Sequence, residues 1–423
     1  MNGQGNKHIL YLDTRSFPLE RKKELSAARE AGLSVVIATA SIDNYSGFDV
    51  SKFIEVPIGD FETSEKKILQ YLSSHNIKVE GVIAWGDKPV ELAARIGTAL
   101  SLPCTTPNAS QNVRNKVNTR KLLDQLDSVN PKYEVIQTYE DFKDALDLID
   151  VPCLLKPAGA SFGRGIFRID AHDDADSIFQ SFREYCVPSR DEVYSYFSDS
   201  FILEEYIEGT EHSVAGMIAD GEVYILAIAD KKIDKSVPFQ YENIVPSKLP
   251  IITQNKIVDL SKSAVELLGI NWCGFHIDII VRNDIPKILE VGGRLGGETI
   301  NSHLIPLSNP NLKPYELILK IVQGEVPLKQ RCFVGQAMYQ AGLRAFLPKS
   351  PGRITRIEGF EKVRKHPNTR DFIQLKDIGD TAYLPSEILG EYAIGYVVAQ
   401  CSKDEDIEEV LADLASLCHI ETE

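Results

Sequence analysis

The chain has 423 residues, 43% of them hydrophobic and 25% charged, with a formal net charge of −15. That length exceeds one compact core and implies two to four domains. The composition is that of a soluble globular protein, and the acidic balance argues against non-specific binding to nucleic acid or to an anionic membrane.

At the amino end "MNGQGNKH" is polar, and "ILYL" is shorter than a signal-peptide core. No apolar run in the sequence reaches the length of a membrane span. Seven scattered cysteines form no C-x-x-C pair and read as reduced thiols. These features point to a cytoplasmic protein.

Along the first part, apolar runs alternate with helical periodicity. "HILYLD" (8–13), "LSVVIAT" (33–39) and "GVIAW" (81–85) read as strands. Leu19–Gly32, Glu62–His75 and Pro89–Leu100 read as helices. Such alternation predicts a parallel sheet wrapped by helices. No G-x-G-x-x-G follows the first strand, so a dinucleotide site of the usual kind is not expected. "WGDK" (85–88) reads either as the lining of a ligand crevice or as a strand-to-helix turn capped by Asp87.

"LPCTTPNAS" (102–110) marks a break, and "QNVRNKVNTRKLLDQL" (111–126) reads as one helix with a basic face. A second α/β region starts near Tyr133. In it the strand Val151–Leu155 leads through "KPAGASFGRG" (156–165) into the strand "IFRI" (166–169). Gly-rich backbone allows close approach of N–H groups to an anion, and Lys156 at the loop base supplies a point charge. The loop is thus either a phosphate-covering flap or an ordinary flexible hairpin. Residues 201–232 read as three strands with turns at Glu208–Gly209 and Asp220–Gly221. A helix follows at Asn255–Leu268, then a hairpin at 274–293 and a helix at Pro314–Gln323. The segment from about Lys329 has strands, turns and a terminal helix at Asp404–Leu417.

The hairpin carries the chemistry. With its turn centred on Asp284, Asp278 lies opposite Glu290, Ile277 opposite Val291 and Ile279 opposite Leu289. Alternation then puts Phe275, Ile277, Ile279, Val281, Leu289 and Val291 on a core face. His276, Asp278, Ile280, Ile288 and Glu290 take the other. Two like charges directly opposite destabilise a sheet, so a counter-ion is expected. A hard cation such as Mg²⁺ suits two carboxylates. Arg294 follows in the Gly-rich turn "GGRLGGETINSH" (292–303), placed to hold an anion bidentately.

Four motifs occur in order: "NK...R" (115–120), "LLKPAGASFGRG" (154–165), "LEEYIEGTE" (203–211) and "HIDIIV...KILEVGGRLGG" (276–297). Together they resemble the ATP-grasp carboxylate–amine ligases. The tail "GRITRIEGFEKV...LGEYAIGYVVAQCSKDEDIEEVLADL" resembles, more loosely, the small C-terminal domain of the L-amino-acid ligase branch.

The resemblance implies an α/β fold, α+β in its C-terminal parts. A Rossmann-like parallel-sheet domain would take 1–110, and a linker helix with the ATP-lid subdomain 111–212. The ATP-grasp C-terminal subdomain would take 213–328, and a small appended domain 329–423. It implies ATP, with Mg²⁺ or Mn²⁺, as the cofactors. Lys116 and Lys156 would bind phosphates, Lys156 also serving catalysis. Ser161, Phe162, Gly163 and Gly165 would close over them. Glu204, Glu205, Tyr206 and Ile207 would form the adenine hinge, and Glu211 would bind the ribose. Asp278 and Glu290 would hold the metal. Arg294 would stabilise an acyl-phosphate and the tetrahedral intermediate.

Glu242, Gly296, Gly297, Asn301 and His303 are substrate candidates. Glu242 reads equally as a loop carboxylate or as the partner of an α-amino group. The partners expected are a small carboxylate and an amine, with no nucleic acid or membrane, and a homodimer is in keeping with the family. One departure stands out. The family pattern E-x-N-x-R has Asn where this chain has Gly292, with Asn301 downstream as a candidate replacement. Three functions stay open: an amino-acid or small-carboxylate ligase, an ATP-grasp enzyme of nucleotide biosynthesis or carboxylation, and a silent ATP-binding protein.

Overall fold

A computed structural model describes residues 7–161, 163–170, 175–234, 239–384 and 392–423. The first sheet has the strands Lys52–Glu55, Ser34–Thr39, His8–Leu12 and Val79–Ala84, in that order, and every pair is parallel. A parallel sheet buries both faces. Ile9, Leu10, Tyr11 and Leu12 are accordingly all fully buried. Helices Pro18–Glu30, Phe61–Ser74 and Val90–Ala99 alternate with these strands, as the sequence periodicity predicts.

A second sheet is antiparallel, with Tyr133–Ile136, Phe201–Glu205, Cys153–Pro157 and Phe167–Ile169 side by side. Phe142, Phe182, Phe201 and Leu203 form its core. The Gly-rich loop joins its last two neighbours, so the expected hairpin is present.

The third sheet holds eight strands, all pairs antiparallel. Their order is Ile285–Gly292, Cys273–Arg282, Thr210–Ala219, Glu222–Asp234, Phe239–Val245, Gln340–Phe346, Gly395–Cys401 and Thr369–Gln374. Helix Ile251–Leu268, ended by Gly269 at φ +74, packs on one face through Ile257, Val258, Val265 and Leu268. Because Gln340–Phe346 pairs with Phe239–Val245, the tail beyond 329 extends this sheet. A small sheet of Thr381–Ala382, Gly352–Glu358 and His419–Thr422 completes the tail.

Three expectations are corrected. The single helix at 111–126 is two, Pro107–Arg114 and Lys116–Leu123. Asn115 breaks it with an extended backbone, and its side chain accepts from the Val117 and Asn118 N–H groups, as an N-cap does. The turn at Glu208–Gly209 is not a hairpin, since the strands on either side belong to different sheets.

The hairpin at 274–293 turns on two residues, Asn283 and Asp284, both at positive φ. Ile279 therefore pairs with Ile288, and Leu289 is the extra residue of a bulge. Ile288, not Leu289, joins the core. The bulge restores one residue of register, so Asp278 still faces Glu290 and Ile277 still faces Val291.

Candidate functional site

The face of the large sheet opposite helix Ile251–Leu268 gathers the charged residues. Asp278 and Glu290 are cross-strand partners. Lys231 reaches from Glu222–Asp234 to Asp278 Oδ2 at 2.9 Å. Glu211 stands opposite Lys231, and burial raises its carboxyl pKa against the pull of Lys231. Lys231 is thus a counter-charge to Asp278 that the sequence did not point to. Burial opposes ionisation of both partners, yet each holds the other charged: Asp278 is kept below its ordinary pKa and Lys231 above its own.

Asp278 Oδ1 is buried and lacks a hydrogen bond of good geometry, although the Ser213 hydroxyl on the facing strand helps keep the carboxyl ionised, and Glu290 is 28% exposed and pairs with Lys116 Nζ at 3.7 Å. Buried acceptors of this kind are rarely left unsatisfied. The donor set is hard oxygen and so fits a divalent cation. Among the described residues no three His, Cys, Asp or Glu side chains form a preassembled metal cluster.

The expected phosphate lysines flank these carboxylates. Lys116 Nζ donates to Ala160 O at 2.5 Å, at the base of the Gly-rich loop. Its pKa is lowered by burial and by the nearby Lys156 and Arg114. Lys156 Nζ donates to Glu204 Oε2 at 2.6 Å, and Arg120 Nε donates to Glu204 Oε1 at 2.7 Å. Glu204 is fully buried, Arg120 is 1% exposed and Lys156 is 7% exposed. Arg120 Nη2 also donates 2.7 Å to the carbonyl of Leu289, the bulge residue. One buried triad therefore ties the strand before the Gly-rich loop, the Lys116–Leu123 helix and the Asp278–Glu290 hairpin together.

Burial alone would raise the Glu204 pKa; Arg120 and Lys156 pull it instead down to about 2 from an ordinary 4.5. A carboxyl with a depressed folded pKa stabilises the fold above its unfolded pKa and loses that contribution as pH falls. Melting temperature should hold above pH 4.5 and fall between pH 4.5 and about 2. The fall should be smaller in Glu204→Gln, and an equal fall in both chains would contradict the ion-paired assignment.

The Gly-rich loop places Gly163 and Gly165 at φ +70 and +72, a conformation glycine adopts without strain. Ser161 is buried, and its carbonyl accepts from Arg164 N at 3.3 Å and Nε at 3.1 Å. Phe162 lies outside the described residues. At the expected hinge, Glu205 N donates to Lys132 O at 3.0 Å and Glu205 Oε1 accepts from Lys132 N at 2.8 Å. Tyr206 N donates to Pro152 O at 3.0 Å.

Arg294 departs from the sequence picture. Its Nε and Nη2 donate to the two oxygens of Asp87 at 3.0 and 2.5 Å, and both residues are buried. Asp87 holds its proton less tightly than an ordinary carboxyl, because Arg294 overcomes the effect of burial. "WGDK" is thus a turn, but Asp87 does not cap the following helix, whose N-cap is Pro89 without a side-chain bond; the Asp87 carboxylate instead fixes the arginine from the end of the parallel sheet. Arg15 reinforces the same loop: Nη2 donates to Leu295 O at 2.5 Å and Nη1 to Glu24 Oε1 at 2.6 Å.

The substrate candidates separate. Glu242 faces away from the site: it accepts from Arg344 Nη1 at 2.7 Å and is 3% exposed. Its neighbour Asn243 faces the site and donates to Glu298 Oε2 at 3.3 Å. Gly296 O accepts from Asn301 Nδ2 at 2.9 Å, and Gly297 lies beside Arg15 and Glu20. His303 sits 3.5 Å from Asp371 in the tail. Glu298, which the sequence did not single out, is exposed at φ +58.

Residues 149–302 match the ATP-grasp domain family. The whole chain superposes on a solved L-amino acid ligase from Bacillus licheniformis with a TM-score of 0.81, at 21% identity and full coverage of both chains. The chain therefore has the ATP-grasp fold, and its similarity is to the L-amino-acid-ligase-like branch of that superfamily. Alanine–anticapsin ligase of Bacillus subtilis (strain 168) is 30% identical over 45% of this chain and 43% of that protein. Carnosine synthase 1 of Homo sapiens is 19% identical over 95% of this chain and 49% of that protein. The chain spans half or less of the length of these curated relatives. Among the described residues, no helix is long and apolar enough to cross a membrane.

Proposed function

We propose that the chain is an ATP- and Mg²⁺-dependent carboxylate–amine ligase, which joins an amino acid or small carboxylate to an amino acid or amine. The observation that carries this reading is the Asp278–Glu290 pair, with the unsatisfied Asp278 Oδ1, set between the Lys116/Lys156 end of the flap and the Arg294 turn. The names of the relatives, an alanine–anticapsin ligase, a carnosine synthase and an L-amino acid ligase, support it.

In the proposed reaction the substrate carboxylate attacks the γ-phosphorus of ATP and gives an acyl-phosphate and ADP. The amine then attacks the acyl carbon and expels phosphate. Mg²⁺ held by Asp278 and Glu290 would neutralise the phosphate oxygens. Lys116 and Lys156 bind phosphate oxygens, and the 159–165 loop excludes water that would hydrolyse the acyl-phosphate. The hinge residues Glu205, Tyr206 and Ile207 seat the adenine, and Glu211 the ribose. Asp87 holds the Arg294 guanidinium rigid, so that it pays little reorganisation when charge develops. Such chemistry rests on positioning and charge neutralisation more than on a nucleophile. In this reading 1–110 supplies the anchor, 111–212 the lid, 213–328 the metal face, and 329–423 the strands that extend it.

The test is ADP release with Mg²⁺ and ATP across the twenty L-amino acids, singly and in pairs, with mass spectrometry of positive wells. A signal that needs both partners, with a product one water lighter than their sum, is the expected result. ATP binding with silence across all pairs would remove the dipeptide reading and favour a silent ATP-binding protein.

A further inference from the structure

The next pair on the face that carries Asp278 and Glu290 is His276 and Gly292. Position 292 is where the family pattern has an amide side chain. A Cβ built on Gly292 would lie 2.0 Å from His276 Cε1, 2.5 Å from Nδ1 and 3.0 Å from Nε2. Non-bonded carbon does not approach that closely, so the imidazole fills the volume in which a side chain at 292 would begin. It enters from the neighbouring strand, on the face that carries Asp278, because residues two apart in a strand share a face.

His276 is 8% exposed, and its Nδ1 lies 3.3 Å from the Arg294 carbonyl. A carbonyl only accepts, so Nδ1 carries the proton, and in the neutral ring the lone pair is on Nε2. The hydrogen bond that fixes the ring among the described residues is thus made by Nδ1, which leaves Nε2 on the other side of the ring.

We propose that His276 does the work of the side chain missing at 292. Its Nδ1–H ties down the backbone of the turn that carries Arg294. Its Nε2 is the neutral acceptor beside the carboxylate pair, aimed at water around the nucleotide-bound cation. It is a positioning residue: the described side chains form no three-membered metal cluster, so it acts through that water and through the turn. Gly292 is then the condition for His276 to reach its place, and an asparagine introduced there is a lesion and not a repair. This rests on the ligase reading for the identity of the nucleotide.

The test uses the full chain and two readouts, the melting temperature without ligand and the affinity for Mn²⁺·ADP measured by the paramagnetism of Mn²⁺. His276→Ala should weaken Mn²⁺·ADP about tenfold, in the range of residues that orient metal ligands, and His276→Gln, which keeps an acceptor, should stay within about threefold of wild type. Gly292→Asn alone should lower both melting temperature and affinity. The His276→Ala/Gly292→Asn double variant should regain both. Wild-type Mn²⁺·ADP affinity in His276→Ala, or a double variant that regains melting temperature alone, would overturn the proposal and leave His276 as packing. Failure of the wild-type chain to bind Mn²⁺·ADP would overturn the ligase reading and this proposal together.

Discussion

Replacing Asp278 by Asn is expected to abolish ADP release and also to soften the fold. The variant keeps the shape of the side chain but loses the charge that pairs with Lys231 at 2.9 Å. Lys231 is only 10% exposed and Asp278 24%, so the ammonium loses its hydrogen-bonded anion in a poorly solvated site and keeps only the charges of Glu298 and Glu211 around it. Truncating one partner of a fully buried pair costs 3–5 kcal/mol; with this residual exposure the cost here should be about 2 kcal/mol. Turnover should fall by on the order of a thousandfold or more, since loss of the cation removes several kcal/mol of charge stabilisation. The double variant Asp278→Asn/Lys231→Met separates the two effects. It should recover melting temperature and remain inactive. A single variant with wild-type ADP release would show that the catalytic metal face lies elsewhere.

Glu204→Gln should have the largest effect on stability. It strips the one anion shared by Arg120 and Lys156, at 2.7 and 2.6 Å, in a fully buried setting. The expected loss is about 4 kcal/mol, on the order of 10 °C in the melting temperature of the unit that contains the flap. ATP binding should weaken as well, because Lys156 loses the partner that aims it. A melting temperature within about 2 °C of wild type would mean that the two cations are compensated by other groups.

Much of the site was legible because its signals are local. Asp278 and Glu290 sit in alternating strands, and their pairing followed from counting back from the turn. That count assumed one turn residue too many and no bulge; the two errors cancelled at Asp278 and showed themselves at Leu289. The Gly-rich flap and its flanking strands were also local. What the sequence hid is which distant charges meet. Asp87 and Arg294 are 207 residues apart, and Arg120 and Glu204 are 84 apart; no periodicity links them. Neither reading of Glu242, as substrate partner or as loop carboxylate, foresaw its ion pair, because a strand's two faces cannot be assigned until its neighbours are known. Arg344, in the tail, took the face that Glu242 presents. The break at Asn115 was hidden for a different reason: asparagine caps helices as well as sitting inside them, and the run around it has helical periodicity on both sides.

In the proposed reaction an acyl-phosphate forms on the face that carries Asp278, Glu290 and Lys231. Its most direct test follows once the substrate pair is known. The carboxylate substrate is labelled with heavy oxygen at both carboxyl oxygens, the reaction is run to completion, and the released phosphate is weighed. One labelled oxygen in each phosphate, with ADP as the nucleotide product, is the result predicted. Unlabelled phosphate alongside an amide product would contradict it.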